Sequence, residues 1–137
     1  MIPLLVAVLL WGVSNFFFKI AVGRLPAIAV LGWEMIAVVG TVSAVLYWER
    51  TGLDFSDRAG MIWALLGGST VVLGGYFFLK ALGSTKLAIA MPFSALNVLV
   101  SALLGILILG ERLSLVHTIG ALGMVISAIL LSLPEGK

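Results

Sequence analysis

Residues 87–110 read LAIAMPFSALNVLVSALLGILILG and contain no charged side chain. A helix needs roughly 20 apolar residues to cross the hydrocarbon core of a bilayer. Backbone amides cross that layer only when they are fully hydrogen-bonded, so this run predicts a transmembrane helix. Comparable runs fill most of the remaining chain. We predict five transmembrane helices, at Ile2–Val22, Ala27–Trp48, Gly60–Leu82, Leu87–Leu109 and Leu115–Leu133.

The composition agrees with an all-α membrane protein. Of the 137 residues, 62% are hydrophobic and 10% are charged, against roughly 25% charged residues in a soluble domain. Because the connections are short, we expect residues 1–137 to form one five-helix domain. The absence of cysteine excludes disulfides and thiolate metal ligands. We expect no metal or other cofactor, and no nucleic-acid partner, because the basic residues are scattered over helix ends.

The basic residues also bear on the orientation in the membrane. Five helices place the two termini on opposite faces. The face of the C-terminus carries Lys19, Arg24, Lys80, Lys86 and Lys137, and the face of the N-terminus carries Arg50, Arg58 and Arg112. Since Lys and Arg mark the cytoplasmic side, this distribution favours a cytoplasmic C-terminus. The difference is small enough to permit dual topology, with insertion in both orientations.

Glu34 is the only acidic residue within a predicted span, about 11 Å from the nearer end of its helix at 1.5 Å per residue. An ionisable group at this depth costs several kcal/mol unless it faces a cavity or a partner. We therefore predict that Glu34 binds a substrate or couples transport to protons. The alternatives are an ion pair with a basic side chain, and a protonated carboxyl bonded to a nearby carbonyl.

Other polar and aromatic residues lie at comparable depths, and we predict that they complete a cavity around Glu34. The candidates are Trp11, Asn15, Asn97 and Tyr76. Trp11 precedes Asn15 by four residues and so shares its helix face. An aromatic ring near a carboxylate suits a cationic or amphipathic ligand. Packing or lipid contact is the alternative for Trp11.

Small residues indicate where helices approach closely. Ser101 and Gly105, and likewise Gly123 and Ser127, recur at a spacing of four. This spacing permits close backbone approach in lipid. We predict that these four residues form the contact between two copies of the chain.

Two positions predict interruptions of the helices. Pro92 lacks a backbone N–H and should kink the fourth span. In the longest connection, between Glu49 and Ala59, we predict a turn with Ser56 as a helix cap.

No group of residues predicts catalysis. The chain has one histidine, no paired carboxylates at depth and no Ser/His/Asp set. A hydrolase acting in the membrane would need such groups within hydrogen-bond reach of one another. We therefore expect the protein not to be an enzyme.

Several motifs together resemble the EamA domain of the drug/metabolite transporter superfamily. They are the stretch GYFFLKALGSTKLAIAMP at residues 75–92, the turn GERL at 110–113, Gly120, and the residues from Trp11-Gly12 to Phe18-Lys19. This family often has an arginine early in the second span, where this chain has Glu34. The resemblance implies a five-helix unit that is half of an inverted-repeat transporter.

From the resemblance and the residues together we expect a multi-pass transporter in the plasma or inner membrane. It should carry a small organic metabolite or drug-like compound by alternating access, as an antiparallel homodimer coupled to protons through Glu34. One alternative is a subunit of a heterodimeric transporter or of a lipid-linked-sugar flippase. Another is a subunit of a membrane assembly that transports nothing.

Overall fold

The structure, a computed structural model, describes residues 2–112 and 114–133. Within these residues the chain forms helices joined by turns and contains no strand. The helices are α1 (Ile2–Val22), α2 (Ala27–Glu49), α3 (Arg58–Ser84), α4 (Leu87–Ala95), α5 (Asn97–Leu109) and α6 (Leu115–Ser132). Leu113 of the predicted turn, Lys137 and the end of the predicted domain lie outside the described residues.

The predicted spans agree with these helices apart from small shifts at their ends. Helix α1 has the predicted bounds, while α3 extends beyond Gly60–Leu82 by two residues at each end. Four segments are long and apolar enough to cross a membrane: α1, α2, α3 and Leu87–Leu109. The apolar part of α6, Leu115–Leu131, is shorter.

The predicted fourth span is interrupted, and the structure divides it into α4 and α5. Pro92 lies inside α4 and cannot donate the backbone hydrogen bond that a helix forms to the fourth preceding carbonyl. Four residues later, the N–H of Leu96 bonds to the Phe93 carbonyl over 3.1 Å. The N–H of Leu99 bonds to the Leu96 carbonyl over 3.0 Å, again a three-residue step. The helix is thus divided at Leu96, four residues after Pro92, while the kink expected at Pro92 itself stays a prediction.

The cap at the start of α3 differs from the prediction. The side chain of Asp57 accepts a hydrogen bond from the N–H of Ala59 over 3.0 Å, so Asp57 is the residue that caps the helix. Ser56 instead donates its N–H to Asp54 Oδ1 over 2.8 Å and shapes the preceding turn. The prediction of Ser56 as the cap is wrong, because Asp57 directly precedes the helix. Its negative charge also suits a helix N-terminus.

Helices α1, α2 and α3 form one compact unit, Met1–Ser84. Its core contains Val30, Leu31 and Leu79, all buried. A long-range hydrogen bond adds to the packing: Lys19 Nζ donates to the Leu82 carbonyl in the last turn of α3 over 2.7 Å. One lysine thus joins the C-terminal ends of α1 and α3.

Helices α4, α5 and α6 form the second unit, Thr85–Lys137, in which α4 packs on α6. Helix α5 ends at Gly110, whose φ of 68° is a conformation that glycine adopts without strain. The N–H of Glu111 bonds to the Gly105 carbonyl over 3.0 Å. Helix α6 begins at Ser114, whose hydroxyl accepts the N–H of His117.

The outer surfaces of the helices are apolar. Large side chains such as those of Leu9, Trp48 and Leu107 are 69%, 84% and 71% exposed. A helix that is apolar on every face belongs in a hydrophobic surrounding. Together with the length of the apolar segments, this pattern makes the protein a multi-pass membrane protein whose helices contact lipid.

Candidate functional site

Glu34 lies in the first third of α2 and is half-buried. The turn after α1 reverses the chain, so the start of α2 lies beside the end of α1. Ser14 is eight residues before the end of α1, about 12 Å at 1.5 Å per residue. Glu34 is about 11 Å from the start of α2 by the same measure. The two side chains therefore share one depth.

A cleft of about 510 Å³ lies between α1 and α2 at this depth. The indole of Trp11 and the hydroxyl of Ser14 line it from α1, and Glu34 and Thr41 line it from α2. The remaining lining is apolar and consists of Leu10, Phe18, Ala37, Val38 and Val42. The carboxylate and the indole that the sequence singled out thus line the same cleft, which we call the Glu34 cleft.

The two hydroxyl groups of the Glu34 cleft bond within their own helices. Ser14 Oγ donates to the Trp11 carbonyl over 2.9 Å, and Thr41 Oγ1 donates to the Ala37 carbonyl over 2.8 Å. Each hydroxyl has one proton and two lone pairs, so these bonds leave only acceptor capacity. An ionised Glu34 also only accepts. The polar side chains of the cleft therefore suit a ligand that donates hydrogen bonds.

The two alternatives predicted for Glu34 both required a partner inside the protein. Within residues 2–112 and 114–133, Glu34 forms neither an ion pair with a basic side chain nor a hydrogen bond with a carbonyl. The hydroxyl groups of Ser14 and Thr41 line the same cleft.

The other predicted site residues lie elsewhere. Asn15 is half-buried on α1 but does not line the Glu34 cleft, where its neighbour Ser14 does. Tyr76 lines a separate groove between α2 and α3, with Lys80 Nζ 5.8 Å from the centre of its ring. Asn97 is exposed at the start of α5, in the second unit, and its place in a common cavity stays a prediction.

The site residues predicted from the sequence included neither Thr41 nor Ser14. Thr41 follows Glu34 by seven residues, which is close to two helical turns, so both residues face the same side of α2. That spacing was the available signal. Thr41 also lies inside an otherwise apolar run. A threonine there commonly bonds to its own helix, so its presence does not by itself indicate a binding site.

The four residues predicted to form the contact between two copies differ in their exposure. Ser101, Gly123 and Ser127 are exposed on α5 and α6. Gly105 is buried, and a Cβ atom built on it would lie 2.5 Å from a carboxylate oxygen of Glu111. The side chain of Glu111 therefore already covers Gly105 within one chain.

Comparison with protein families gives one clear result. The model of the EamA-like transporter family matches residues 1–133, nearly the whole chain. Neither curated proteins nor solved structures gave a match. Members of this family are transporters and not enzymes, in agreement with the lack of catalytic groups in the sequence. The chain therefore belongs to the EamA-like transporter family, within the drug/metabolite transporter superfamily.

Proposed function

We propose that this protein transports a small, positively charged organic metabolite or drug-like compound, by alternating access and in exchange for protons. The observation that carries the proposal is the Glu34 cleft, which Glu34 and Trp11 line together among apolar side chains. Its volume of about 510 Å³ lies within the usual range for small-molecule sites, roughly 300–1,000 Å³.

The lining of the cleft favours an amphipathic cation. Glu34 supplies the negative charge, and the face of Trp11 attracts a cation by its quadrupole. Ser14 and Thr41 offer acceptor oxygens for an ammonium N–H, since their own protons are bonded within their helices. The apolar lining accommodates the hydrocarbon part of the same ligand. No basic residue lines the cleft in the described part of the chain.

The proposed exchange of substrate for protons rests on the single carboxylate of Glu34, which lies among apolar side chains. A bare negative charge within a membrane is costly. Either a proton or an organic cation neutralises Glu34, and one carboxylate does not hold both. The protein then changes conformation in its loaded states, so that substrate moves one way and protons move the other.

We further propose that residues 1–137 form one five-helix domain, half of an inverted-repeat transporter, and that two copies associate in opposite orientations in the cell membrane. Inverted repeats place the substrate between the two halves, near the middle of the bilayer. The Lys and Arg residues divide five to three between the two faces, a difference small enough to permit dual insertion. Ser101, Gly123 and Ser127 are exposed and available for the contact, with Gly105 in the same pattern.

The test of the site is transport by purified protein in liposomes, with ethidium as an aromatic cationic probe and an imposed pH gradient. Glu34→Gln preserves shape and hydrogen bonding but does not ionise, so it should abolish proton-driven accumulation. Glu49→Gln, which removes an exposed carboxylate at the other end of the same helix, is the matched control and should retain transport. Undiminished, pH-dependent transport by Glu34→Gln would show that Glu34 is structural.

The test of the orientation uses single cysteines, because the chain has none of its own. Gly52 precedes α3 and Gly83 lies at its other end, and both are exposed with open space around them. In an antiparallel homodimer each cysteine should react with an impermeant maleimide from both sides of the membrane. Labelling of each position from one side alone would contradict dual topology.

A further inference from the structure

A second groove, separate from the Glu34 cleft, lies on the outer surface of the first unit. Its volume is about 710 Å³, and it shares no lining residue with the Glu34 cleft. The α3 side of this groove includes Ala64, Gly68, Val72 and Tyr76, and its α2 side is formed by Ile28 and Leu31. We call it the Tyr76 groove.

The Tyr76 groove follows one face of α3 and ends beside a positive charge. Ala64, Gly68, Val72 and Tyr76 recur every four residues, and Lys80 continues the same series. The ammonium group of Lys80 lies 5.8 Å from the centre of the Tyr76 ring. The groove is therefore apolar along its length and has a cation at one end.

The groove extends over several turns of α3. Twelve residues separate Ala64 from Tyr76, about 18 Å at 1.5 Å per residue. Lys80 lies one helical turn beyond Tyr76, towards the end of α3, where we expect the lipid headgroups.

The floor of the groove is open at Gly68. A Cβ atom built on Gly68 would meet no other heavy atom within 4 Å, so any larger side chain there would project into unoccupied space. Ser69, the only hydroxyl-bearing aliphatic residue of the lining, donates its proton to the Leu65 carbonyl over 2.8 Å. The middle of the groove is therefore an apolar surface, because the hydroxyl of Ser69 already donates its hydrogen bond within α3.

We propose that the Tyr76 groove binds an anionic phospholipid, with one acyl chain along α3 and the headgroup phosphate on Lys80. Charge complementarity favours this occupant, because Arg24 adds a second cation at the same membrane face. Phosphatidylcholine also carries a phosphate, but its own choline cation balances that charge, so it attracts the ammonium group of Lys80 less than a lipid with a net negative charge does. A soluble ligand would not match a long apolar groove that opens outward from the helices.

The experiment titrates the delipidated full chain in detergent with phosphatidylglycerol, and with phosphatidylcholine of the same acyl chains, and counts bound lipid by native mass spectrometry. Lys80→Gln should weaken phosphatidylglycerol binding about fivefold, the effect of one basic residue near a lipid headgroup. Lys86→Gln, a basic residue on the same membrane face, is the matched control. Gly68→Leu should fill the groove and remove the saturable binding, while Gly67→Leu, one position away and outside the lining, should not.

Several results would overturn the proposal. Equal binding of the two lipids, or equal effects of Lys80→Gln and Lys86→Gln, would show only the ordinary lipid shell of a membrane protein. Retained saturable binding in Gly68→Leu would place the acyl chain elsewhere. If Gly68→Leu instead converts dimers to monomers and Gly67→Leu does not, the occupant is a second copy of the chain. Lys80→Gln leaves the helix packing unchanged, so the headgroup test holds even if Gly68→Leu does not fold.

Discussion

Replacing Lys19 by methionine tests the packing of the first unit. Lys19 lies in the last turn of α1, and its ammonium group donates to the Leu82 carbonyl over 2.7 Å. This carbonyl is among the last four of α3, which have no partner within the helix. The C-terminal ends of two helices, both partially negative, therefore meet one positive charge. Methionine keeps a long apolar side chain and removes only the charge and the donor.

The magnitude follows from the type of bond and its surroundings. A hydrogen bond to a charged group contributes about 1.5–3 kcal/mol net. Lys19 is only half-buried, so part of this energy is lost to screening. We expect Lys19→Met to lower the free energy of unfolding by about 1–2 kcal/mol, since the buried end of α3 would lose its donor.

The assay is reversible unfolding in mixed micelles of dodecylmaltoside and sodium dodecyl sulfate, followed by circular dichroism. Lys19→Arg, which keeps a charged donor, should recover most of the loss. Arg24→Met removes an exposed cation from the neighbouring turn and should change the free energy by less than about 0.5 kcal/mol. The reasoning is refuted if Lys19→Met and Arg24→Met are equally stable.

Three further predictions concern the turns and the contact between copies. Asp57→Ala should destabilise the protein by about 1 kcal/mol in the same unfolding assay, because α3 loses its cap; a loss no larger than that of Ser56→Ala would contradict this. Hydrogen bonds from the Ser56 hydroxyl and N–H lower the pKa of Asp54. The ionised carboxylate therefore stabilises the folded state at neutral pH, and this contribution is lost as the pH falls through the folded-state pKa of Asp54. In a carboxyl-carbon NMR titration Ser56→Ala should therefore raise the Asp54 pKa, and an unchanged midpoint would refute the bond. Gly123→Leu should weaken the dimer in sedimentation experiments without changing the helix content. Gly105→Leu should in addition displace the side chain of Glu111, which covers Gly105. If the Gly123→Leu variant stays fully dimeric, the interface lies elsewhere.

The sequence alone determined that this chain crosses a membrane. Long uncharged runs such as residues 87–110 leave a helix as the only solution, because lipid offers no hydrogen bonds to the backbone. It also identified Glu34 as the group to explain, since one carboxylate in apolar surroundings is costly wherever the helices lie. The kink expected at Pro92 rests on a similarly local reason, the missing N–H.

The tertiary structure decided which side chains meet. The outward faces of α1 and α2 are apolar, and lipid provides no hydrophobic driving force to choose one face of such a helix over another. Packing of Val30 and Leu31 against α3 fixes the rotation of α2, and with this rotation Glu34 lines the same cleft as Trp11, while Asn15 stays outside it. Periodicity gives relative positions within a helix, but the angle at which each helix faces its neighbours follows only from the packed side chains.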